Sequence, residues 1–357
     1  MMNIIIDINH PAHVHFFKNF YNHCKEDFKI IVTTRPKDIT LDLLERYNIP
    51  YMVVSKPRNG LLGKIIELLE HNFKIYQLIK KEKINLVISI GSILSIISTF
   101  ITSIKSYTFN DTEHASFQSF ISKLFATKIF TPDCFLDDLG PKQVRYPGYH
   151  ELAYLHPNRF TPNPEVLKEI GLTENDKFFV VRFVSWEASH DIGQKGLSLE
   201  DKRKLIDTLK PYGKIIITSE KTLPEEFEEY KMRICPTKMH DLLYYATLLY
   251  GESATMSSEC AVLGTHSFFI YFAGLGNTDE QEKKYNLVYN YKTDRESINS
   301  SFERLNELLQ IDNLKELGRM KREILLKDKI DVTQFLIDLI ENESTTNSSG
   351  LSKRLDR

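Results

Sequence analysis

Cysteine is sparse in this 357-residue chain: four residues, at positions 24, 134, 235 and 260, with no C-x-x-C pair. That spacing argues against a zinc knuckle and a disulfide-held miniprotein, and it points to a reduced, cytoplasmic protein. Glycine is scarce too, 15 residues where about 7% is usual, so the glycines present are expected at special backbone positions. Charge of one sign is missing. Lys and Arg number 46 against 48 Asp and Glu, a formal charge of −2, so the totals carry no general attraction to nucleic acid or to an anionic membrane, and such a partner needs a local patch. The opening residues, Met1 to Asp7, have neither a basic segment nor a small-residue cleavage site, and no signal peptide is expected. One run, Leu86 to Ile104, is free of charge over a membrane-spanning length, but it holds seven Ser or Thr and breaks at Gly91-Ser92. It reads as a buried strand, Leu86 to Ile90, followed by a helix capped by Ser92, and not as a transmembrane span.

What is present is alternation. Short β-branched runs near Asn3 to Ile8, Phe28 to Thr34, Tyr51 to Ser55, Leu86 to Ile90, Ser106 to Asn110 and Lys128 to Thr131 are separated by helix-length segments. The clearest helix is Leu61 to Glu82, where Leu62, Ile65, Ile66, Leu69, Phe73 and Leu78 form a stripe expected to face the core. A proline-rich stretch from Pro141 to Pro164 reads as a domain junction. Beyond it the alternation resumes, with strands at Phe178 to Phe183, Lys214 to Thr218, Leu248 to Gly251 and His266 to Phe272. Three closing helices are expected, Arg295 to Leu309, Asn313 to Leu326 and Val332 to Glu341. The fold expected is α/β, with two Rossmann-like doubly wound domains facing a cleft. Their bounds are 1–155 and 165–330; a helix over 331–341 crosses back to the first domain, and a polar tail over 342–357 is expected to be disordered.

Ligands of parallel sheets bind beyond the carboxyl ends of the strands, and three segments are placed there. His10-Pro11-Ala12-His13-Val14-His15 follows the first strand; His10 and His13 can converge while His15 points elsewhere. They could serve as acid, base or phosphate donors, or simply cap and pack. No carboxylate or cysteine nearby in sequence completes a zinc set. Asn110-Asp111-Thr112-Glu113-His114 follows another strand. Asp111, Glu113 and His114 could supply an acid or base, or Asp111 or Thr112 could cap the next helix. Gly251-Glu252-Ser253-Ala254-Thr255 opens a buried helix that carries Glu259 and ends at Gly264. Ser253, Thr255 and the free amides suit a diphosphate and Glu259 suits sugar or ribose hydroxyls, unless Ser253 only caps and Glu259 only pairs with a lysine. Arg182, at a strand end, is a candidate diphosphate clamp, and His190, with Asp191 to orient it, lies in the loop that follows. Asp137-Asp138 and Lys80-Lys81-Glu82-Lys83 read as surface, and no metal or other cofactor is expected.

These segments carry a resemblance. Ile5-Ile6-Asp7-Ile8-Asn9-His10-Pro11, Tyr146 to Leu155 and Ala254 to Gly264 resemble the domain-of-unknown-function 354 family, within the GT-B superfamily of nucleotide-sugar glycosyltransferases and non-hydrolysing UDP-N-acetylglucosamine 2-epimerases. The resemblance spans about residues 1 to 341. It implies that Ser253 contacts the donor phosphate and that Glu259 grips the ribose hydroxyls. Ala254-Thr255 stands where the epimerases have Gly-Gly, a departure that bears on how closely backbone and phosphate approach.

The function expected is a metal-independent glycosyltransferase. A nucleotide sugar, a UDP-sugar first, binds the second domain, and a glycan or glycolipid acceptor binds the first. His13 is the first choice for base or acid and Glu113 the second, with all three segments meeting in one cleft. The alternatives are a UDP-sugar 2-epimerase and a non-catalytic sugar-nucleotide binding protein. Neither nucleic acid nor a membrane span is part of the reading.

Overall fold

The structure, a computed structural model, describes residues 2–113, 115–183, 196–219, 223–231, 234–271 and 274–355. The chain divides into two compact units, Met1–Arg159 with Ile330–Arg357, and Phe160–Lys329. In the first unit the elements run β1 (Asn3–Ile8), α1 (Pro11–Cys24), β2 (Lys29–Thr34), α2 (Thr40–Arg46), β3 (Tyr51–Val53), α3 (Gly60–Glu82), β4 (Leu86–Ile90), α4 (Ile93–Thr102), β5 (Lys105–Phe109), α5 (Ser116–Phe125), β6 (Lys128–Pro132), β7 (Gln143–Tyr146) and α6 (Leu152–Leu155). The sheet order is β3-β2-β1-β4-β5-β6-β7, and each neighbouring pair is parallel. Buried on both faces, its central strands are the Ile- and Val-rich runs that a covered parallel sheet requires. The uncharged run resolves as β4 and α4, with Ser92 Oγ accepting from the Leu94 amide at 3.2 Å.

Strand order reverses between β1 and β4, the switch point of a doubly wound sheet. A fully buried carboxylate, Asp7, sits there. Its Oδ1 accepts from Thr33 Oγ1 and pairs with His71 Nε2, each at 3.0 Å; its Oδ2 accepts from Ser92 Oγ at 2.8 Å and Asn9 Nδ2 at 3.0 Å. Ser55 Oγ completes the chain at 2.8 Å from His71 Nδ1. Burial works against ionisation of Asp7, yet His71 and these hydrogen bonds hold its carboxyl well below the usual range.

Helix α3 departs from expectation. The stripe read as core-facing points outward, with Leu62 at 77% and Leu69 at 64% exposed; only Leu78 of the six is buried. The inward face is Glu67, His71, Ile75, Leu78 and Ile79. α3 is apolar on two sides, and periodicity cannot rank them; buried partners can, because Glu67 pairs with Arg35 and His71 with Asp7.

In the second unit come α7 (Glu165–Glu169), β8 (Phe178–Phe183), α8 (Leu199–Leu209), β9 (Lys214–Ser219), α9 (Met239–Tyr245), β10 (Leu248–Gly251), α10 (Ala254–Leu263), β11 (His266–Ile270), α11 (Gly276–Lys283), β12 (Val288–Tyr291), α12 (Arg295–Leu309) and α13 (Leu314–Asp328). The order β12-β11-β10-β8-β9 is again wholly parallel and reverses between β8 and β10. Gly251, at the end of β10, has no room for a side chain, since a Cβ would lie 2.4 Å from the Arg182 carbonyl oxygen. Gly264 closes α10 at φ +76°, the left-handed stop its position suggested. The four-residue strands β7 and β12, and α11 between β11 and β12, are too short or too polar to stand out in the sequence.

The chain then returns to the first unit as α14 (Val332–Leu355). Val332, Leu336, Ile337 and Ile340 are buried, α14 packs on α1 and α6, and Phe335 stacks on Tyr146 at 5.3 Å. The tail expected to be disordered continues this helix to Leu355. Its polar composition is outweighed where Glu343 takes hydrogen bonds from Lys105 and Tyr107 of β5. No helix among the described residues is long and apolar enough to cross a membrane.

Removing the Asp7 carboxylate strands His71, Thr33 and Ser92 in an apolar interior. Asp7→Ala is expected to lower the free energy of unfolding by about 3–5 kcal/mol, the range for deleting one partner of a buried pair. Ser92→Ala should cost about 1 kcal/mol, the worth of a helix cap. Urea denaturation measures both, and an Asp7→Ala protein as stable as the parent would refute the account.

Candidate functional site

In the first unit the parallel strands bring three connections to one edge of the sheet. His10 opens α1 as its N-cap, its Nδ1 accepting from the Ala12 amide at 3.2 Å. His13 lies one turn in, its ring 5.8 Å from that of His10, its Nδ1 accepting from the Asn9 amide at 3.3 Å. His15 faces away, between Tyr47 and Tyr154. Asp111, after β5, does not cap α5, whose N-cap is Ala115 with no side-chain bond. Asp111 instead pairs through Oδ2 with His150 Nδ1 at 2.9 Å, and Oδ1 accepts from Thr112 Oγ1 at 3.0 Å. His150 follows β7; it was not among the candidate residues, although it lies within the Tyr146 to Leu155 segment that carries the family resemblance, just after the Pro147-Gly148 turn at a strand end. Glu113 is buried, its Oε1 accepting from the Leu136 amide at 3.2 Å. His114 lies outside the described residues.

The protonation states follow from these partners. Burial holds His13 neutral, lowering it to about 3, with His10 and His150 adding to that and Asp111 opposing. Burial also works against a charged His150, but the Asp111 carboxylate overcomes it and raises His150 above its ordinary value. Asp111 is held below the usual carboxylate range, its burial outweighed by His150. Tautomers can be assigned from the same bonds. With Nδ1 occupied by the Asn9 amide, neutral His13 carries its proton on Nε2 and is a donor there. His150 is the reverse: its Nδ1–H donates to Asp111, and when the ring is neutral Nε2 holds a lone pair. That atom has no hydrogen-bond partner among the described residues. The carboxylate nearest the His10–His13 turn is Asp111, two residues beyond β5, which acts on His13 through its charge and makes its own pairing with His150.

In the second unit Ser253 is the N-cap of α10, its Oγ accepting from the Met256 amide at 3.3 Å. The capping role is therefore occupied, while Ser253 and Thr255 remain half-buried at the helix start, the positive end of the helix dipole. Glu259 is 5% exposed, and its Oε1 lies 3.0 Å from His240 Nε2, so its observed partner is a histidine of α9 in place of the lysine considered from sequence. Arg182, the penultimate residue of β8, lies beside Gly251 in register. His190 and Asp191 lie outside the described residues.

A family model described as a protein of unknown function (DUF354) matches residues 2–338. The chain belongs to the DUF354 family. No curated protein matches it. Among solved structures this DUF354 chain is similar to Staphylococcus aureus MnaA with UDP, at 11% identity over 97% of both chains and a TM-score of 0.67. It is also similar to the Neisseria meningitidis UDP-GlcNAc 2-epimerase bound to UDP-GlcNAc, at 12% identity over 91% of this chain and 98% of that one, TM-score 0.61. A third is the spinosyn forosaminyltransferase SpnP, at 11% identity over 95% and 99%, TM-score 0.60. At these identities the likeness shows the fold, which is GT-B.

His13 gives this DUF354 protein a pH signature. Unfolded, its imidazole takes a proton below about 6.5; folded, it resists until about 3. The unfolded state therefore binds more protons across that window, and stability falls with acid by at most about 1.4 kcal/mol per pH unit from this group alone. His13→Gln keeps an acceptor for the Asn9 amide and should remove that part of the slope. Urea melts of both proteins at about pH 7.5 and about pH 5 test it: the stability difference must shift toward the variant in acid.

Proposed function

We propose that this protein is a nucleotide-sugar-dependent glycosyltransferase of GT-B type. The second unit takes the donor, a UDP-sugar, and the first takes a glycan or glycolipid acceptor. The observation that carries the reading is the Asp111–His150 pair at the carboxyl edge of the first sheet. An imidazole oriented through Nδ1 by a half-buried carboxylate, with Nε2 left to accept a proton, is the arrangement that activates a hydroxyl nucleophile. His13 then changes role. As an Nε2–H donor whose basicity burial has removed, it suits hydrogen bonding to the oxygen on which charge develops, not proton abstraction. On the donor side, the start of α10 with Ser253 and Thr255, together with Arg182, offsets the charge of a leaving diphosphate without requiring a metal. Glu259, fixed by His240, is the acceptor for ribose hydroxyls. His10, Glu113, His114 and His190 stay as secondary candidates around these groups.

A second reading, a 2-epimerase, is favoured by the likeness to solved epimerases; a binding protein without turnover is the third. Single UDP-sugars incubated with the protein separate them. Sugar isomerised without an acceptor means epimerase, donor consumed only with an acceptor means transferase, and binding without either means a carrier. EDTA should leave turnover unchanged. For the transferase reading, His150→Gln should lower turnover about 10²- to 10⁴-fold, the range for a general base, while UDP affinity is retained. Glu259→Ala should weaken UDP binding by about 1–3 kcal/mol, the scale of a charged hydrogen bond, as calorimetry would read. Full activity in His150→Gln removes the base assignment.

A further inference from the structure

The outer surface of the first unit's helix layer is left uncovered among the described residues. α3 packs on α4, and α4 on α5, stitched by Ser98 Oγ donating to the Asn72 carbonyl at 2.6 Å. Away from the sheet, α3 shows Leu62, Ile65, Ile66, Leu69, Phe73 and Tyr76, spaced so that they line one side of the helix from end to end. Phe117, Phe120 and Leu124 form a like stripe on α5, and Phe100 of α4 meets Phe125 edge-to-face at 5.0 Å. Side chains of this size at about 40 to 80% exposure carry on the order of 100 Å² each. The face therefore exceeds the few hundred Å² of apolar patch that a monomer ordinarily shows.

Charge decides what covers it. Residues 56–83 hold seven Lys or Arg and three Glu, net +4, in a chain of net −2. The three carboxylates are already engaged, Glu67 by Arg35, Glu70 by Arg58 and Lys74, and Glu82 by Lys29. Lys80 and Lys81 are exposed on and beside the apolar stripe at its carboxyl end, and Lys56 is exposed just ahead of α3. A second copy docked on this face would set +4 against +4. We infer that the α3–α4–α5 face seats on an anionic lipid surface, its leucines and phenylalanines entering the headgroup boundary while the flanking lysines meet lipid phosphates. No described helix can span a bilayer, so the attachment is to one leaflet. The inference stands apart from the proposed reaction, and its test involves no sugar chemistry.

Cosedimentation of the full chain with phosphatidylcholine vesicles, with and without phosphatidylglycerol, reads it. Binding is expected only with the anionic lipid and should fall at about 1 M salt, where charge is screened. Leu62→Ser, Ile66→Ser and Leu69→Ser combined change only exposed positions, so the fold should persist by circular dichroism while vesicle binding drops about tenfold or more. Lys80→Glu with Lys81→Glu should remove the preference for phosphatidylglycerol, and it decides alone if the serine variant misfolds. The inference is overturned if the protein ignores anionic vesicles or if the variants bind as the parent does. A dimer in light scattering that the serine variant dissolves also overturns it and assigns the face to a second copy.

Discussion

A carboxylate buried at the end of β1 must find all its hydrogen bonds inside the protein, and the first unit is organised around that requirement. Asp7 draws in Thr33 of β2, His71 of α3, the Ser92 cap of α4 and Asn9 of the next turn. These groups converge where the strand order reverses. The bond to Asn9 ties the start of the His10–His13 turn to this anchor, and the Asn9 amide in turn sets the tautomer of His13. A charge with no chemistry of its own thus fixes the geometry of groups that have some. The cost of leaving any member unpaired in the interior is what makes the arrangement single-valued.

The two units solve the same problem with different parts. In the second, the switch point lies between β8 and β10, and backbone closeness replaces buried charge as the organising constraint. Gly251 lets β10 pass the Arg182 carbonyl at a distance no side chain permits, and Ser253 then caps α10. At the far end of that helix, Arg322 Nε donates to the Val262 carbonyl at 2.8 Å and Arg319 to the Leu263 carbonyl at 2.5 Å, satisfying acceptors a helix end leaves open. Both ends of α10 are thereby held by named bonds, and Glu259 is held within it by His240.

Helix α3 shows how a strong pattern can mislead. Its most regular apolar stripe is the exposed one, while the buried face contains a glutamate and a histidine. Hydrophobic periodicity reports that a face is apolar; it does not report which face meets the sheet. Here the polar residues decide, because Glu67 and His71 have partners waiting only on the inner side. The apolar side left over becomes a surface property of the molecule and not part of its core.

Alternation of β-branched strands with helices, the Gly264 stop, the Ser92 and Ser253 caps and the break in the uncharged run were legible in the residues, because each depends on contacts within a few positions of the chain. The edge on which His10, His13 and Asp111 gather followed as well, since parallel strands carry their following turns to one side. Pairing across long separations was not legible: Asp111 with His150, Glu259 with His240, Asp7 with His71, and Glu343 with β5. Each joins residues that share no local pattern, and their protonation states depend on a burial that exists only once the sheets are covered. Local sequence determined the elements and their order; the tertiary structure decided which imidazoles donate, which accepts, and which apolar face stays outside.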